Sequence, residues 1–290
     1  METYKLKRIM TDEQGEALKG NFLDESYIKH PVIDHDADGY DLNGNLLFRF
    51  RKNVLPLEVL KQGVDNFEYS IELTESRGIT SGGSHKRIRK DGSVSKITVG
   101  NKVLSGNVGY MDSNAMVPYC RMTAFGRKHF DKFNNGIPFV KHIDKLYSEL
   151  CPSHYAIQKQ HAEGTSKNYV IEDTSFTTIT VNKNFRTALH KDSGDLEKGF
   201  GNLIAYREGD WTGAYFMLPE FGAAIDLQNT DVLFVDVHRW HCNTPFKNFD
   251  EQTCKRITFV MYYREMMLSC KKPSEQLQTI KQEKNGFFRL

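Results

Sequence analysis

The five cysteines, Cys120, Cys151, Cys242, Cys254 and Cys270, include no CxxC pair. Their number is odd and their spacing wide, which excludes a thiolate zinc knuckle and a dense disulfide framework. Reduced thiols are expected, in a cytoplasmic or nuclear setting or, for a virus-encoded chain, in a host cell. No apolar run reaches 18 residues, so no membrane-spanning helix is expected. The opening METYKLKRIMTDEQGEALKG has no apolar core of the kind a secretory leader needs, so secretion is not expected. A strong charge of either sign is also lacking: 39 Lys and Arg stand against 37 Asp and Glu, for a net charge of +2. The molecule as a whole neither seeks nor repels polyanions, and local patches must decide. There is no internal repeat, no long low-complexity stretch and no segment that points to an obligate protein partner.

What remains is a chain with 39% hydrophobic and 12% aromatic residues, enough for a sizeable core. Residues 1–50 read as mixed polar structure with turns at Gly39 and Gly44. LPLEVLKQGVDNF reads as a short helix ending near Gly63. GIPFVKHIDKLYSELCPSHYAIQKQHA is helical with a break at Pro152. From Phe176 to Tyr263 short strand-like runs alternate with turn signals: TITVN, LIAYRE, AYFMLP, AAIDL, DVLFVDV and ITFVMYY. This pattern predicts an α+β protein with a double-stranded β-helix core, a jelly roll of the cupin kind, and helices packed outside. The catalytic unit is expected at 109–290, preceded by an N-terminal extension at 1–108. The tail PSEQLQTIKQEKNGFFRL is expected to be a short helix with a loose end.

His190 and Asp192 follow the strand-like FTTITVN. On an extended chain, residues two apart face the same side, so both can chelate one ion. A second strand-like run, DVLFVDV, leads to His238 and His241, either of which can complete a 2-His-1-carboxylate triad, the grip that holds Fe(II) by one face. His241 is preferred: CNTPF follows it as a turn, then a strand with Arg256 at its entrance, which puts ligand and arginine on neighbouring strands. His238 then supports the ligands or faces substrate. Arg256, entering an apolar run, suits the far carboxylate of an oxoacid, because its planar fork binds carboxylate through two parallel bonds. His142 and Asp144 share the spacing but sit in a helical pattern, where residues two apart diverge. They read as part of a solvated polar face.

The segment around these residues resembles the TET/JBP family of nucleic-acid dioxygenases. The likeness runs from about Phe176 to Tyr263, and more weakly from Gly109 to Pro152. It rests on His190-Lys191-Asp192 followed by Ser193-Gly194-Asp195, on Trp211-Thr212-Gly213-Ala214-Tyr215, and on the run from His238 to Pro245. The resemblance implies Fe(II) at His190, Asp192 and His241, 2-oxoglutarate at Arg256, and hydroxylation of the 5-methyl group of thymine or 5-methylcytosine in DNA. The zinc-binding cysteine clusters and large DNA-binding insertions of the animal enzymes have no counterpart here. Alternatives stay open: a hydroxylase of a small molecule, free nucleotide or protein side chain, an iron enzyme of this fold that uses ascorbate, or a non-catalytic binding protein.

Two further features bear on a DNA partner. RGITSGGSHKRIRKDGSVSKITVGNKVLSG is a Gly- and Ser-rich loop or hairpin carrying Lys86, Arg87, Arg89 and Lys90, and its cations can follow phosphates. Aromatics near the catalytic region, Tyr119, Phe125, Phe130, Phe185, Tyr206, Trp211, Tyr215 and Trp240 among them, include candidates for holding an unstacked base. Trp240 and His238, beside His241, are candidate substrate contacts.

Overall fold

The computed structural model describes residues 1–83, 85–114, 117–278 and 281, with the side chains of 85, 87 and 96–98 outside that description. Its centre is a ten-stranded sheet. Along it, in spatial order, lie Glu2–Leu6, Ala37–Asp41, Leu46–Arg51, Val232–Val235, Gly201–Glu208, Lys255–Tyr262, Thr178–Lys183, Val103–Met111 and Glu72–Thr74. The tenth, Arg121–Met122, pairs off Val103–Met111. A three-stranded sheet of Phe216–Leu218, Ala223–Ile225 and Cys242–Asn243 faces it. All six runs predicted as strands between Phe176 and Tyr263 are strands, and the jelly-roll core with outer helices is present.

Period-2 alternation divides the large sheet between two jobs. On Lys255–Tyr262, Ile257, Phe259 and Met261 face the helices Leu57–Phe67 and Phe130–Leu150, in a core that also holds Phe67, Phe139, Tyr147 and Phe234. The other face of the sheet meets the small sheet, where Leu203, Ala205, Leu233 and Val235 pack against Phe216, Leu218, Ala223 and Ile225. The N-terminal extension is woven into this architecture. Glu2–Leu6 pairs with Ala37–Asp41, and Leu46–Arg51 pairs with Val232–Val235.

Several local expectations are corrected. Gly39 lies inside Ala37–Asp41 rather than in a turn, because the Phe48 ring occupies the place of a side chain; Gly44, with φ 85°, does make a turn. The helix at 57 does not stop at Gly63 but runs to Phe67. Gly63 is there for close approach: a Cβ would meet the Phe139 ring at 2.5 Å. Gly63→Val therefore overpacks this contact, and a loss of about 1–3 kcal/mol is expected in thermal or denaturant unfolding. The helical pair Phe130–Leu150 and Pro152–Gly164 breaks at Cys151, as the proline predicts. Asp144 is not on a solvated face. It is buried, accepts from the Ser175 N–H (2.7 Å), the Ser175 hydroxyl (2.6 Å) and the Tyr155 hydroxyl (3.0 Å), and thereby fastens the helix to the start of the catalytic strands.

The expectation of five free thiols is also corrected. Cys120 and Cys270 form a disulfide, their Cα atoms 5.8 Å apart across 150 residues of sequence. No spacing rule reaches that far. Cys151, Cys242 and Cys254 are free and buried. Among the described residues no helix is long and apolar enough to cross a membrane. In the tail, residues 273–278 are helical, and 279–280 and 282–290 lie outside the described residues.

Candidate metal centre and active-site cavity

A cavity of roughly 430 Å³ opens between the two sheets, a size ordinary for small-ligand sites. His190, Asp192 and His241 stand together in its wall, with one potential ligand atom from each lying within 4.8 Å of the others. The predicted strand leading to His190 stops earlier than expected, at Lys183, where Asn184 turns with φ 50°. Extended geometry resumes at His190, which forms an isolated antiparallel bridge with His241. The two residues exchange both backbone bonds, at 3.1 and 2.9 Å. Asp192 is held by its N–H to the Val237 carbonyl at 3.0 Å.

Each imidazole is fixed by the nitrogen that faces away from the cluster. His190 Nδ1 meets the Ala188 carbonyl at 2.8 Å, and His241 Nδ1 meets the Arg239 carbonyl at 2.9 Å. Both tautomers are thereby set, and Nε2 is left as a lone-pair donor. Those Nε2 atoms lie 3.5 and 3.7 Å from the two Asp192 oxygens. Burial, then the neighbouring His190, lower His241 to about 4, so it is neutral at physiological pH, as a ligand must be. Burial alone would raise Asp192; its contact with His190 outweighs that, and the carboxylate is held well below its ordinary range. Phe216 stacks on His241 with ring centroids 5.4 Å apart and walls that side with apolar surface. Two imidazoles and one carboxylate, preset and converging, fit a divalent iron.

Arg256 lines the same cavity, from the opposite sheet. The expected arrangement on neighbouring strands is corrected: His241 belongs with the small sheet, and Cys242–Asn243, expected as a turn, is a strand paired with Phe216–Leu218. Ligand and arginine meet across the sandwich. Asn184 clamps the Arg256 backbone on both sides, its side-chain oxygen accepting from the Arg256 N–H and its own N–H donating to the Arg256 carbonyl, each at 2.8 Å. The cross-strand partner is Arg207, a like charge. Arg207 is accounted for by Asp226 at 3.0 Å and by Trp211, whose ring it covers at 3.8 Å. Among the described residues no carboxylate pairs with Arg256. Burial, then the charge of Arg207, pull it down to about 9, which still leaves it cationic at neutral pH.

The rest of the lining includes residues that the sequence pattern did not single out. Thr258, Val260, Tyr262 and Arg264 continue the alternation begun at Arg256, and Thr180 and Asn182 do the same on the neighbouring strand. Once Arg256 is taken as inward-facing, period 2 alone names the first four. Arg264 also holds Asp112, at 2.6 Å. Asp195 is buried in the wall with its Oδ2 unpartnered among the described residues, and burial, then Asp192, raise it well above its ordinary range. Arg77 has no such signal. It lies far upstream and is half-buried against neutral partners: the Ser105 hydroxyl at 2.6 Å, the Gly106 carbonyl at 2.9 Å and the Asn107 side chain at 3.0 Å. Of the aromatics named from sequence, Phe185 lines the cavity.

Trp240 and His238 do not line it. Trp240 is buried beneath the helix Asp12–Leu18, donating from its ring to Asp12 at 3.1 Å, where Gly15 leaves it room. His238 sits between Asp236 and the Asp195 carbonyl, each at 3.4 Å. Lys86, Arg89 and Lys90 are exposed on the hairpin His85–Ile88 and Val94–Val99, and the Arg87 side chain lies outside the described residues.

The opposed sheets, the His-Asp-His cluster and the cavity are those of a 2-oxoglutarate- and Fe(II)-dependent oxygenase. Residues 108–265, over half of the chain, match the model of the Tet_JBP family, the oxygenase domain of the 2OGFeDO superfamily, and the chain belongs to that family. Bifunctional helicase and thymine dioxygenase JBP2 of Trypanosoma cruzi (strain CL Brener) is 38% identical over 168 residues, 57% of this chain and 15% of that protein. Thymine dioxygenase JBP1 of Trypanosoma brucei brucei is 27% identical over 252 residues, 83% of this chain and 28% of its own length. The chain thus spans under a third of either relative. A solved structure of NgTET1 in complex with 5mC DNA shares the fold, with a TM-score of 0.60, 15% identity and 90% of each chain covered.

Proposed function

We propose that this chain hydroxylates the 5-methyl group of a pyrimidine base, thymine or 5-methylcytosine, in DNA, using Fe(II) and 2-oxoglutarate. The observation that carries this reading is one cavity holding both the His190–Asp192–His241 cluster and the unpaired Arg256, in a member of this family. The relatives' names supply the substrate class: two are thymine dioxygenases, and NgTET1 was captured with 5mC DNA.

In this reading His190, Asp192 and His241 hold the iron, and Arg256 takes the far carboxylate of 2-oxoglutarate through two parallel bonds. Bound together, metal and co-substrate supply the oxidising power for an unactivated C–H bond. The protein's part is positional. The carbonyls of Ala188 and Arg239 keep the imidazoles aimed, the Asn184 clamp sets where Arg256 points, and Phe216 and Phe185 help exclude water. Arg256 favours an oxoacid over ascorbate, since a buried guanidinium without a carboxylate wants one. Trp240 and His238 steady the loop that carries His241. The catalytic unit is 109–290, with Ser76 to Thr80 of the N-terminal extension completing the cavity wall.

Mass spectrometry of nucleosides tests this directly, after incubating methylated and unmethylated DNA with the chain, Fe(II) and 2-oxoglutarate. A 5-hydroxymethyl pyrimidine and matching succinate are expected. Consumption of 2-oxoglutarate with every nucleoside unchanged would pass the site to a small-molecule or protein substrate.

The hairpin cations make a second expectation. Neutralising Lys86, Arg87, Arg89 and Lys90 together should weaken DNA binding on all sequences alike. It should also flatten the dependence of log affinity on log salt by about 0.9 for each duplex phosphate that is no longer neutralised. Uncoupled turnover of 2-oxoglutarate should persist, because the iron site is untouched. A quadruple variant with unchanged affinity and salt slope would show that the hairpin does not touch the DNA backbone.

A further inference from the structure

The residues that flank the iron ligands are held by the beginning of the chain. Leu189, directly before His190, exchanges two backbone bonds with it: the Leu189 N–H donates to the Asn21 carbonyl at 2.9 Å, and the Leu189 carbonyl accepts from the Gly20 N–H at 2.8 Å. Lys191, between His190 and Asp192, donates from its ammonium to Asp12 Oδ1 at 2.7 Å. Trp240, directly before His241, donates its ring N–H to the same oxygen at 3.1 Å. One oxygen of one carboxylate thus holds a neighbour of each imidazole, across 179 residues of sequence in one case and 228 in the other.

The rest of the strap, residues 8–23, braces that junction. Arg8 pairs with Asp12 Oδ1 at 2.9 Å and with Glu220 Oε2 at 3.0 Å. The other oxygen of the buried Glu220 accepts from the Trp240 backbone N–H at 3.1 Å. Trp240 is therefore gripped at its backbone and at its ring by two carboxylates that share one arginine. The Lys191 ammonium stands 5.0 Å from the centre of the Trp240 ring, so the two arms that meet at Asp12 also meet each other. Beneath them Met10 and Leu23 pack with Leu189, Trp240 and Cys242 in an apolar cluster of their own.

An exposed ion pair on its own contributes little, and the Asp12 side chain is 56% exposed. What sets this one apart is where its arms lead. His190 and His241 face each other through a single isolated bridge. One bridged pair can twist about its own axis, and a shared anchor on the flanking residues removes that freedom. Ligands already held in place bind a metal more tightly, because less ordering is left to be done on binding. The strap lies outside residues 108–265, the stretch that matches the family.

We propose that Asp12 is a positioning residue for the iron: it locks the segment carrying His190 and Asp192 to the segment carrying His241, so that the N-terminal strap sets the affinity for the metal. This rests on the iron site proposed above.

The test is an anaerobic titration of Fe(II) into the full, metal-free chain. Asp12→Ala should raise the Kd about tenfold, the low end for a group outside the ligand set. Asp12→Asn keeps an oxygen for the Trp240 ring N–H but loses the charge, and should fall between Asp12→Ala and the unmutated chain. Lys191→Met removes one arm only and should raise the Kd about threefold. By charge alone, deleting a cation beside a dication would tighten binding, so a raised Kd marks the lost anchor. D12A/K191M should bind no more weakly than Asp12→Ala, because both changes break one contact. Thermal melts of the metal-free variants separate positioning from support. A lowered midpoint with an unchanged Kd in the folded chain overturns the proposal. So does an unchanged or lowered Kd in Lys191→Met, or losses that multiply in the double variant. Lys191 lies on no helix or strand and its side chain is 33% exposed, so Lys191→Met still decides the matter if Asp12→Ala fails to fold. In each of these results the unmutated chain binds Fe(II), and the iron site stands. If the unmutated chain binds none, that reading falls and takes the positioning role with it.

Discussion

Asp192→Ala should abolish Fe(II)-dependent turnover and weaken anaerobic Fe(II) binding by more than about 100-fold, since losing even a partner outside the ligand set costs 10–100-fold in metal sites. Ligand number and charge both point that way. The cluster offers three ligand atoms, and only Asp192 among them is an anion. Without it, two imidazoles 4.2 Å apart between ring centroids face a dication with no anion to offset its charge. Nothing nearby substitutes. Asp195 is also in the wall, but burial, the larger cause of its raised pKa, remains when Asp192 is removed and still disfavours its charged form. His190→Ala should behave in the same way, and would also remove the ring whose Nδ1 is set by Ala188. His142→Ala should leave iron binding and turnover unchanged, because His142 lies on Phe130–Leu150, outside the cavity. Asp144→Ala should lower the unfolding midpoint, since it orphans the Ser175 N–H and two hydroxyls, and should leave iron affinity alone. Iron titration and thermal melts of these four variants separate the roles. Iron binding that depended on Asp144 and not on Asp192 would overturn the placement of the site.

The contrast between those two His-x-Asp pairs explains why so much was legible. Both pairs have the same letters, and only the periodicity of their neighbours differs. Ile143 and Tyr147 recur at helical spacing and are buried against the large sheet, which turns His142 and Asp144 apart. The β-branched run before His190 implies extended chain; that strand ends at Lys183, and His190 returns to extended geometry through its bridge to His241, with Asp192 beside it. The six strands of the core are readable from their own pattern: each is short, rich in apolar residues and bounded by turns. What was missed depends on distance in sequence. That Arg77 reaches the cavity, that Cys120 meets Cys270, and that His241 faces Arg256 across two sheets are products of how strands far apart in sequence are ordered in space. Gly63 and Gly39 were misread as ends and turns because glycine has two uses. Conformational freedom shows in the local pattern, while close approach to an aromatic ring depends on a residue elsewhere in the chain.

Arg256→Lys should raise the apparent KM for 2-oxoglutarate by about 10–100-fold with a much smaller change in kcat. A hydrogen bond to a charged group is worth about 1.5–3 kcal/mol, and an ammonium cannot form the second parallel bond of the fork. The interaction is made equally in the ground state and the transition state, which is why KM carries the loss. The surroundings add a pH signature. Burial, then Arg207, pull the Arg256 guanidinium down to about 9. A lysine starts from a lower ordinary value and meets the same desolvation and the same like charge. Both act against the cation, so the variant loses its charge at lower pH than the native residue does. The KM defect should therefore grow as pH rises through the neutral range, while the unmutated chain stays flat until more alkaline pH. Asn184→Ala offers a second reading of the same site. It removes the acceptor of the Arg256 N–H but leaves the guanidinium, so it should raise KM less than the lysine does and without the pH trend. Steady-state kinetics at fixed DNA and varied 2-oxoglutarate, from pH 6.5 to 8.5 as about the usable range, decide the matter. An unchanged KM in Arg256→Lys across that range would remove Arg256 from the co-substrate site and reopen ascorbate as the reductant.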